Sequence, residues 1–266
     1  MKETREAAIR VRVDPANPGQ FFACCGLLEL ADRFWDGAEG WFEGHSFSFR
    51  ALDPEKASKS SFGDLLRAVA GAPLRQVDLN DDFSSPIELP APFGLRLDWW
   101  KDERSGGNRL KVWAGSMRSV RIARAMQSAL GQTSFHNELL FDLGEVVYDP
   151  GETNKKVEPF YFDARRGASA QSIDIGFAPD SLQMTSIAYP GVEFLCLVGL
   201  QRFRPMPTDI RRIFEYYIWM LPMATPVAPA VACGLVSQVG RRGFRFENAF
   251  RTDQRKHKAF TPATPI

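Results

Sequence analysis

The stretch IRVRVDPANPGQFFACCGLLELADRFW, residues Ile9–Trp35, decides the reading of the fold. Ile9 to Val13 alternates apolar and charged side chains, the two-residue period of a half-buried strand. Asn17-Pro18-Gly19 then forces a turn or a helix start. From Gln20 to Trp35 the apolar residues Phe21, Phe22, Cys24, Cys25, Leu27, Leu28, Leu30, Ala31 and Phe34 recur at helical spacing, with charge confined to Glu29, Asp32 and Arg33. That pattern predicts a deeply packed first helix.

Working outward, Trp41-Phe42 and Phe47–Phe49 read as short aromatic strands and Phe62–Ala70 as a helix. The order strand-helix-strand-strand-helix is ferredoxin-like, or RRM-like, and predicts an α+β chain whose antiparallel sheet packs against helices, in two such halves. Residues 71–92, rich in Asp, Ser and Pro, read as an irregular acidic surface connection. The expected organisation is therefore 1–90 as the first ferredoxin-like part, 91–251 as a second α+β part with basic loops, and 252–266 as a basic, Pro-rich, flexible tail.

In the second part, Phe93–Trp100 and Leu110–Trp113 read as strands joined by a polar turn. Ser116 reads as the N-cap of a helix running to about Leu130. Phe160–Phe162 and Ile173–Phe177 are expected strands. A helix that is apolar nearly all round begins at Pro190, Ile213–Leu221 is an aromatic strand, and Gly240–Phe246 ends in an alternating strand.

The 266 residues are 44% hydrophobic and 24% charged, enough for a packed core and against disorder. No run approaches the apolar length of a membrane helix, and MKETREAAIRVRV places charges where a signal peptide has its apolar region, so a cytoplasmic protein is expected. Cys24, Cys25, Cys196 and Cys233 lack the spacing of a metal knuckle and read as reduced thiols. Net charge is +1, but residues 1–98 hold 11 Lys+Arg against 16 Asp+Glu, and residues 99–266 hold 22 against 16. The halves thus differ as −5 and +6, an asymmetry that suits a nucleic-acid face on the second.

The candidate binding residues follow from that asymmetry. In PFYFDARRGASAQSIDIGF, residues 159–177, Arg165 and Arg166 precede Gly167 and a run of small residues. Planar cationic forks beside exposed N–H groups suit a phosphate or a phosphodiester. Arg118, Arg121 and Arg124 share one helix face, with Lys101, Arg104, Arg109 and Lys111 just before them. Arg202 and Arg204 close the buried helix, and Arg241 and Arg242 sit in a second glycine-flanked turn. Trp99, Trp100, Trp113, Phe203, Phe244 and Phe246 are interleaved with these cations, the combination that holds phosphates and stacks bases of single strands. Taken singly, each cluster is equally explained as a solvated face, and each ring as core.

Catalytic signatures are missing. There is no P-loop, no Gly-x-Gly-x-x-Gly after a strand, no Gly-x-Ser-x-Gly and no His or Cys pair at metal spacing, so neither a cofactor nor a metal is expected. His136 is the one catalytic candidate, a general base on an RNA 2′-hydroxyl. A hydrogen-bonded structural histidine is the competing reading.

The runs PFYFDARRGASAQSIDIGFAPDSLQM, VEFLCLVGLQRFRP, NPGQFFACCGLLELADRFW and LRLDWWKDE…LKVWAGSMRSVRIARAM together resemble a CRISPR-associated protein family found with type I-U, also called type I-G, systems. The likeness covers most of the chain. It implies a subunit of, or accessory to, a Cascade-type surveillance complex in antiviral defence, related to RAMP proteins that cradle guide RNA with glycine-rich and basic loops. The implied partners are guide RNA, target DNA and other effector subunits. No catalytic residues carry over from it, so the expected function is a non-enzymatic RNA- or DNA-binding subunit. The alternatives are a metal-independent guide-RNA-processing endoribonuclease using His136 and a subunit that contacts only protein.

Overall fold

A computed structural model describes residues 8–102, 107–115, 117–166, 187–236, 241–251 and 257–266. The first half runs β1 (Ile9–Arg12), α1 (Pro18–Trp35), β2 (Ala38–Glu43), β3 (Ser46–Ala51), α2 (Pro54–Lys59), α3 (Phe62–Gly71), β4 (Arg75–Gln76), β5 (Ile87–Leu89) and β6 (Leu95–Leu97). There follow α4 (Ser119–Ala129), β7 (Tyr148–Asp149), β8 (Glu152–Lys156), α5 (Pro190–Gly199), β9 (Met206–Pro207) and β10 (Ile213–Ile218). The chain closes with β11 (Met223–Ala224), α6 (Ala228–Ala232), β12 (Arg242–Phe250), β13 (Lys258–Phe260) and β14 (Thr264–Pro265). The class is mixed α+β with small antiparallel sheets.

The opening forms as its pattern dictates. Asn17 caps α1 by accepting from the Gln20 N–H, Pro18 occupies the first turn, and Asp36 ends the helix in the left-handed region at φ 56°. β1, β3 and β2 pair in that order, and β11 adds to the outer edge of β2. A second sheet has the order β13-β12-β10-β9, with β14 also on β12. Buried side chains from both halves of the sequence form one cluster. Its centre is the crossing of α1 and α5 at two glycines: a Cβ on Gly26 would lie 1.9 Å from the Leu195 carbonyl oxygen, and one on Gly199 2.0 Å from that of Phe22. Only glycine permits this approach, and it explains why α5 is buried all round and α1 over all but its last turn.

Several expectations change. The tail does not fray over residues 257–266: β13 and β14 both pair with β12, and Ala259 and Phe260 are fully buried, because Phe260 supplies apolar area that Phe162 and Phe246 lack without it. Leu110–Trp113 is not a strand, since Asn108 folds it into a turn by accepting from the Leu110 N–H through its side chain and from Lys111 through its carbonyl. The expected strand at 93–100 is only Leu95–Leu97. Phe160–Phe162 joins no ladder because the N–H groups of Phe162 and Asp163 donate to the Glu193 carboxyl instead. α4 starts with Arg118 in the N-cap position and no side-chain cap; Ser116, Gly167, Ile173–Phe177 and Gly240 lie outside the described residues.

Among the described residues, no helix is long and apolar enough to cross a membrane.

Candidate functional site

Arg165 is drawn into the interior by a buried carboxylate. The turn Ala164–Arg166 follows Asp163, which is fully buried against the first turn of α1. Gly19 makes that approach possible, since a Cβ there would sit 2.3 Å from the Phe162 carbonyl oxygen. Asp163 accepts from Asn17 Nδ2 at 2.8 Å, from the Arg165 N–H at 2.9 Å and from Arg165 Nη2 at 2.6 Å. The same guanidinium donates to the Phe141 carbonyl, pairs with Asp142 and lies 3.5 Å over the Tyr189 ring. Glu193, also fully buried, has its carboxyl pushed up to about 8, by burial first and then by the nearby Asp163 charge, against which the N–H groups it accepts from act. The arrangement neutralises one buried carboxylate with an arginine and holds the other as an acid. Arg166 lies over Tyr161, whose hydroxyl donates to Glu158 and is pushed up to about 12 chiefly by burial.

The other arginines are distributed over separate clefts. Arg118, Arg121 and Arg124 do share a face of α4, and they meet Asp82, Asp149 and Glu152 there; Arg121 Nε is 2.5 Å from Asp149, and Arg124 donates to the Leu74 carbonyl. Arg202 pairs at 3.0 Å with Glu29, a buried carboxylate that Arg33 also holds. Arg241 lies over Tyr217 and shares a cleft with Arg242, Asp14 and His45. Arg204 and Arg242 are exposed. His136 Nε2 is 2.9 Å from the Leu130 carbonyl at the end of α4, the geometry of a helix-terminal hydrogen bond.

Of the two readings open for the rings beside the cations, stacking platform or core, Trp99, Trp100 and Trp113 follow the second. All three are buried, packed edge to face on one another, and their indole N–H groups donate to the carbonyls of Leu197, Ser84 and Phe83. Phe203, Phe244 and Phe246 are likewise in the core, because rings of that area are worth more inside than in water.

Unbalanced positive charge lies elsewhere, in a pocket of about 500 Å³ whose walls include Ser84, Asn108, Lys111, Phe250 and Lys258. Lys258 stands on β13, the strand predicted to be frayed tail. Its ammonium donates to the Arg109 carbonyl at 3.2 Å and is pushed down to about 8, first by burial and then by the like charges of Arg212, Lys111 and Arg211. Among the described residues no carboxylate offsets that repulsion on Lys258. Lys111 donates to Ser84 Oγ and is also lowered, by burial and by Lys101, with Asp81 opposing. Arg212 holds a left-handed backbone at φ 69°, pairs with Glu247 at 3.2 Å and lies 4.7 Å over the Phe250 ring, while its Nε has no partner among the described residues. A bulky residue in that backbone region is uncommon and is held there by its surroundings. Met117 is shared between this pocket and a neighbouring groove lined by Arg118, Arg121, Lys155 and Lys156. Cations gathered in this way create a positive potential that attracts anions. Among the described residues no group of His, Cys, Asp and Glu is arranged to hold a metal ion.

Lys111 was legible as part of a basic hairpin. Lys258 and Arg212 were not, since Lys258 reads as one of several tail cations and Arg212 as one of a pair of arginines before a strand; only the pairing of β13 with β12 brings them together. Comparison of the chain with protein-family models, with curated proteins and with solved structures finds no match.

Proposed function

We propose that this protein is a non-enzymatic nucleic-acid-binding subunit of a type I-U CRISPR effector complex, with the Lys111–Lys258 pocket and the groove past Met117 as its seat for the strand backbone. The observation that carries the reading is the lining of the pocket, where Lys111 and Lys258 stand together with no carboxylate among the described residues of its wall. Such a cluster is relieved when a polyanion arrives. The adjoining groove carries Arg118, Arg121, Lys155 and Lys156 beside Glu158, and Asp82, Asp149 and Glu152 already pair with the first three, so the unmatched charge is that of the Lys111–Lys258 pocket. The effector assignment itself rests on the sequence resemblance. The ferredoxin-like reading is supported by the β1-β3-β2 order with α1 between β1 and β2, the arrangement of the first three strands of that fold.

Arg165 is left out of this surface, since its guanidinium is engaged by Asp163, Asp142 and Phe141. Binding of labelled single-stranded RNA, single-stranded DNA and duplex DNA across a salt series tests the proposal. Wild-type protein should bind with strong salt dependence, and replacing both Lys111 and Lys258 by Met should lower the salt slope by about one for each phosphate no longer neutralised. Binding with an unchanged slope in that double variant refutes the pocket, and no binding to any strand refutes the reading.

A subunit that touches only protein is the second reading. It is favoured by exposed Leu235, Val236 and Ile266, where the Arg241 guanidinium donates to the Val236 carbonyl and the Ile266 N–H to that of Gly243. It predicts self-association of the isolated chain, read by light scattering, that a partner subunit reverses.

A further inference from the structure

We infer that the Lys111–Lys258 pocket takes a terminal phosphomonoester, so that a nucleic-acid strand lying in the groove past Met117 has its phosphorylated end seated there. The inference rests on the nucleic-acid reading above and deepens it.

Two observations carry it. The first is charge. Lys111 and Lys258 both line the pocket, and among the described residues no carboxylate lines it. Two ammonium groups with no carboxylate among the described residues of the wall carry an excess that one internal phosphodiester, with a single negative charge, does not neutralise. A phosphomonoester carries about −1.5 to −2 at neutral pH and offers three acceptor oxygens. Donors suited to it are present in the ammonium groups and in the Ser84 hydroxyl and Asn108 amide on the wall.

The second is shape. The pocket shares a wall, Met117, with the groove of Arg118 and Arg121. The other clefts, beside Glu29 and Arg202, beside Asp14 and Arg242, and between Gln76 and Glu152, share none with it. Among these clefts of the described residues, the pocket adjoins the groove past Met117 and no other. A strand following the groove presents its terminus to the largest excess of charge, and the partly exposed Phe83 and Phe250 flank the place of its last base.

The test compares one short single-stranded RNA in three forms, with a 5′-phosphate, with a 3′-phosphate and with hydroxyls at both ends, together with inorganic phosphate. The proteins are wild type, Lys258→Met and Lys111→Met, each checked for a cooperative melt. One phosphorylated form should bind wild type about tenfold more tightly than the hydroxyl form, as charge-assisted bonds of this kind provide. Either lysine variant should weaken both forms but bring that ratio to about one, because the loss falls more heavily on the doubly charged terminus than on the strand backbone. Equal binding of all three forms by wild type overturns the terminal assignment and leaves the nucleic-acid reading standing. An equal loss for every form in the variants also overturns it, by assigning the lysines to an internal phosphodiester. If no strand binds while inorganic phosphate raises the melting temperature of wild type but not of Lys258→Met, the nucleic-acid reading fails and the monoester pocket stands. If phosphate has no effect either, both fail.

Discussion

The turn at Asp163–Arg166 and the pocket at Lys258 both gather cations, and they differ in what faces them. Arg165 meets a fully buried aspartate, a second aspartate, a backbone carbonyl and an aromatic face. Lys258 meets one carbonyl and three like charges. The first set is closed: the guanidinium is matched by anions, and removing it leaves a buried charge uncompensated. The second is open, because the two lysines that line its pocket have no carboxylate beside them among the described residues of the wall. A basic residue that stabilises its own fold and one that awaits a ligand are thus told apart by their partners, which residue type and spacing do not reveal.

Arg165→Ala gives the largest expected effect. With Asp163 left buried with no cation and only the Asn17 amide and the residue-165 N–H as donors, unfolding free energy should fall by about 3 kcal/mol in a denaturant titration. A loss below about 1 kcal/mol, the scale of an exposed ion pair, would erase the contrast between the two regions.

Next in size is Glu193→Gln. Glu193 keeps its proton up to about pH 8 in the fold, against an ordinary carboxyl value of 4.5. The folded state therefore holds more protons between those values. The stability this contributes is complete below about pH 4.5 and is lost as the pH rises through 8. Wild type should lose stability from pH 5 to pH 8, by a few kcal/mol on the scale of about 1.4 per pKa unit, and the amide variant should show a much flatter profile. Identical profiles would mean that the buried pair at Asp163 and Glu193 is not the closed set described.

Lys258→Met should have the opposite sign and a smaller size. The lysine is lowered to about 8 from 10.5, so the unfolded chain binds more protons between those values, and wild-type stability should rise with pH across that window. Removing the charge should stabilise the protein by about 1 kcal/mol at pH 7, a figure reduced for partial exposure. A destabilised variant with an intact melt would show that the cluster is balanced internally. Smallest of all, Arg204→Ala and Arg242→Ala should shift stability by less than about 0.5 kcal/mol, since both side chains are exposed. A larger loss would place either arginine with Arg165 among the structural ones.

Much of the fold was legible because its signals are local. The alternation of Ile9–Val13, the Asn17-Pro18 start, the apolar periods of α1 and α5 and the hairpin of β2 and β3 each follow from side-chain period and turn chemistry. What was not legible depends on distant partners. Leu110–Trp113 looks like a strand until Asn108 and the carbonyl of Phe83 claim its polar groups. Phe160–Phe162 looks like a strand until Glu193 takes the N–H groups of the segment. The aromatic residues beside the arginines look like a stacking surface until the core closes over them.

The sequence by itself determined a mixed α+β chain, where its main helices and first sheet lie, and a surplus of positive charge in its second half. Tertiary structure alone decided which cations stay available, because that depends on long-range pairing. Asp163 meets Asn17 only when α1 packs against residues 162–163, and Lys258 reaches Lys111 and Arg212 only when β13 pairs with β12. Charge counts are additive along a chain, whereas the balance of charge at a site is set by which residues the fold brings within a few ångströms.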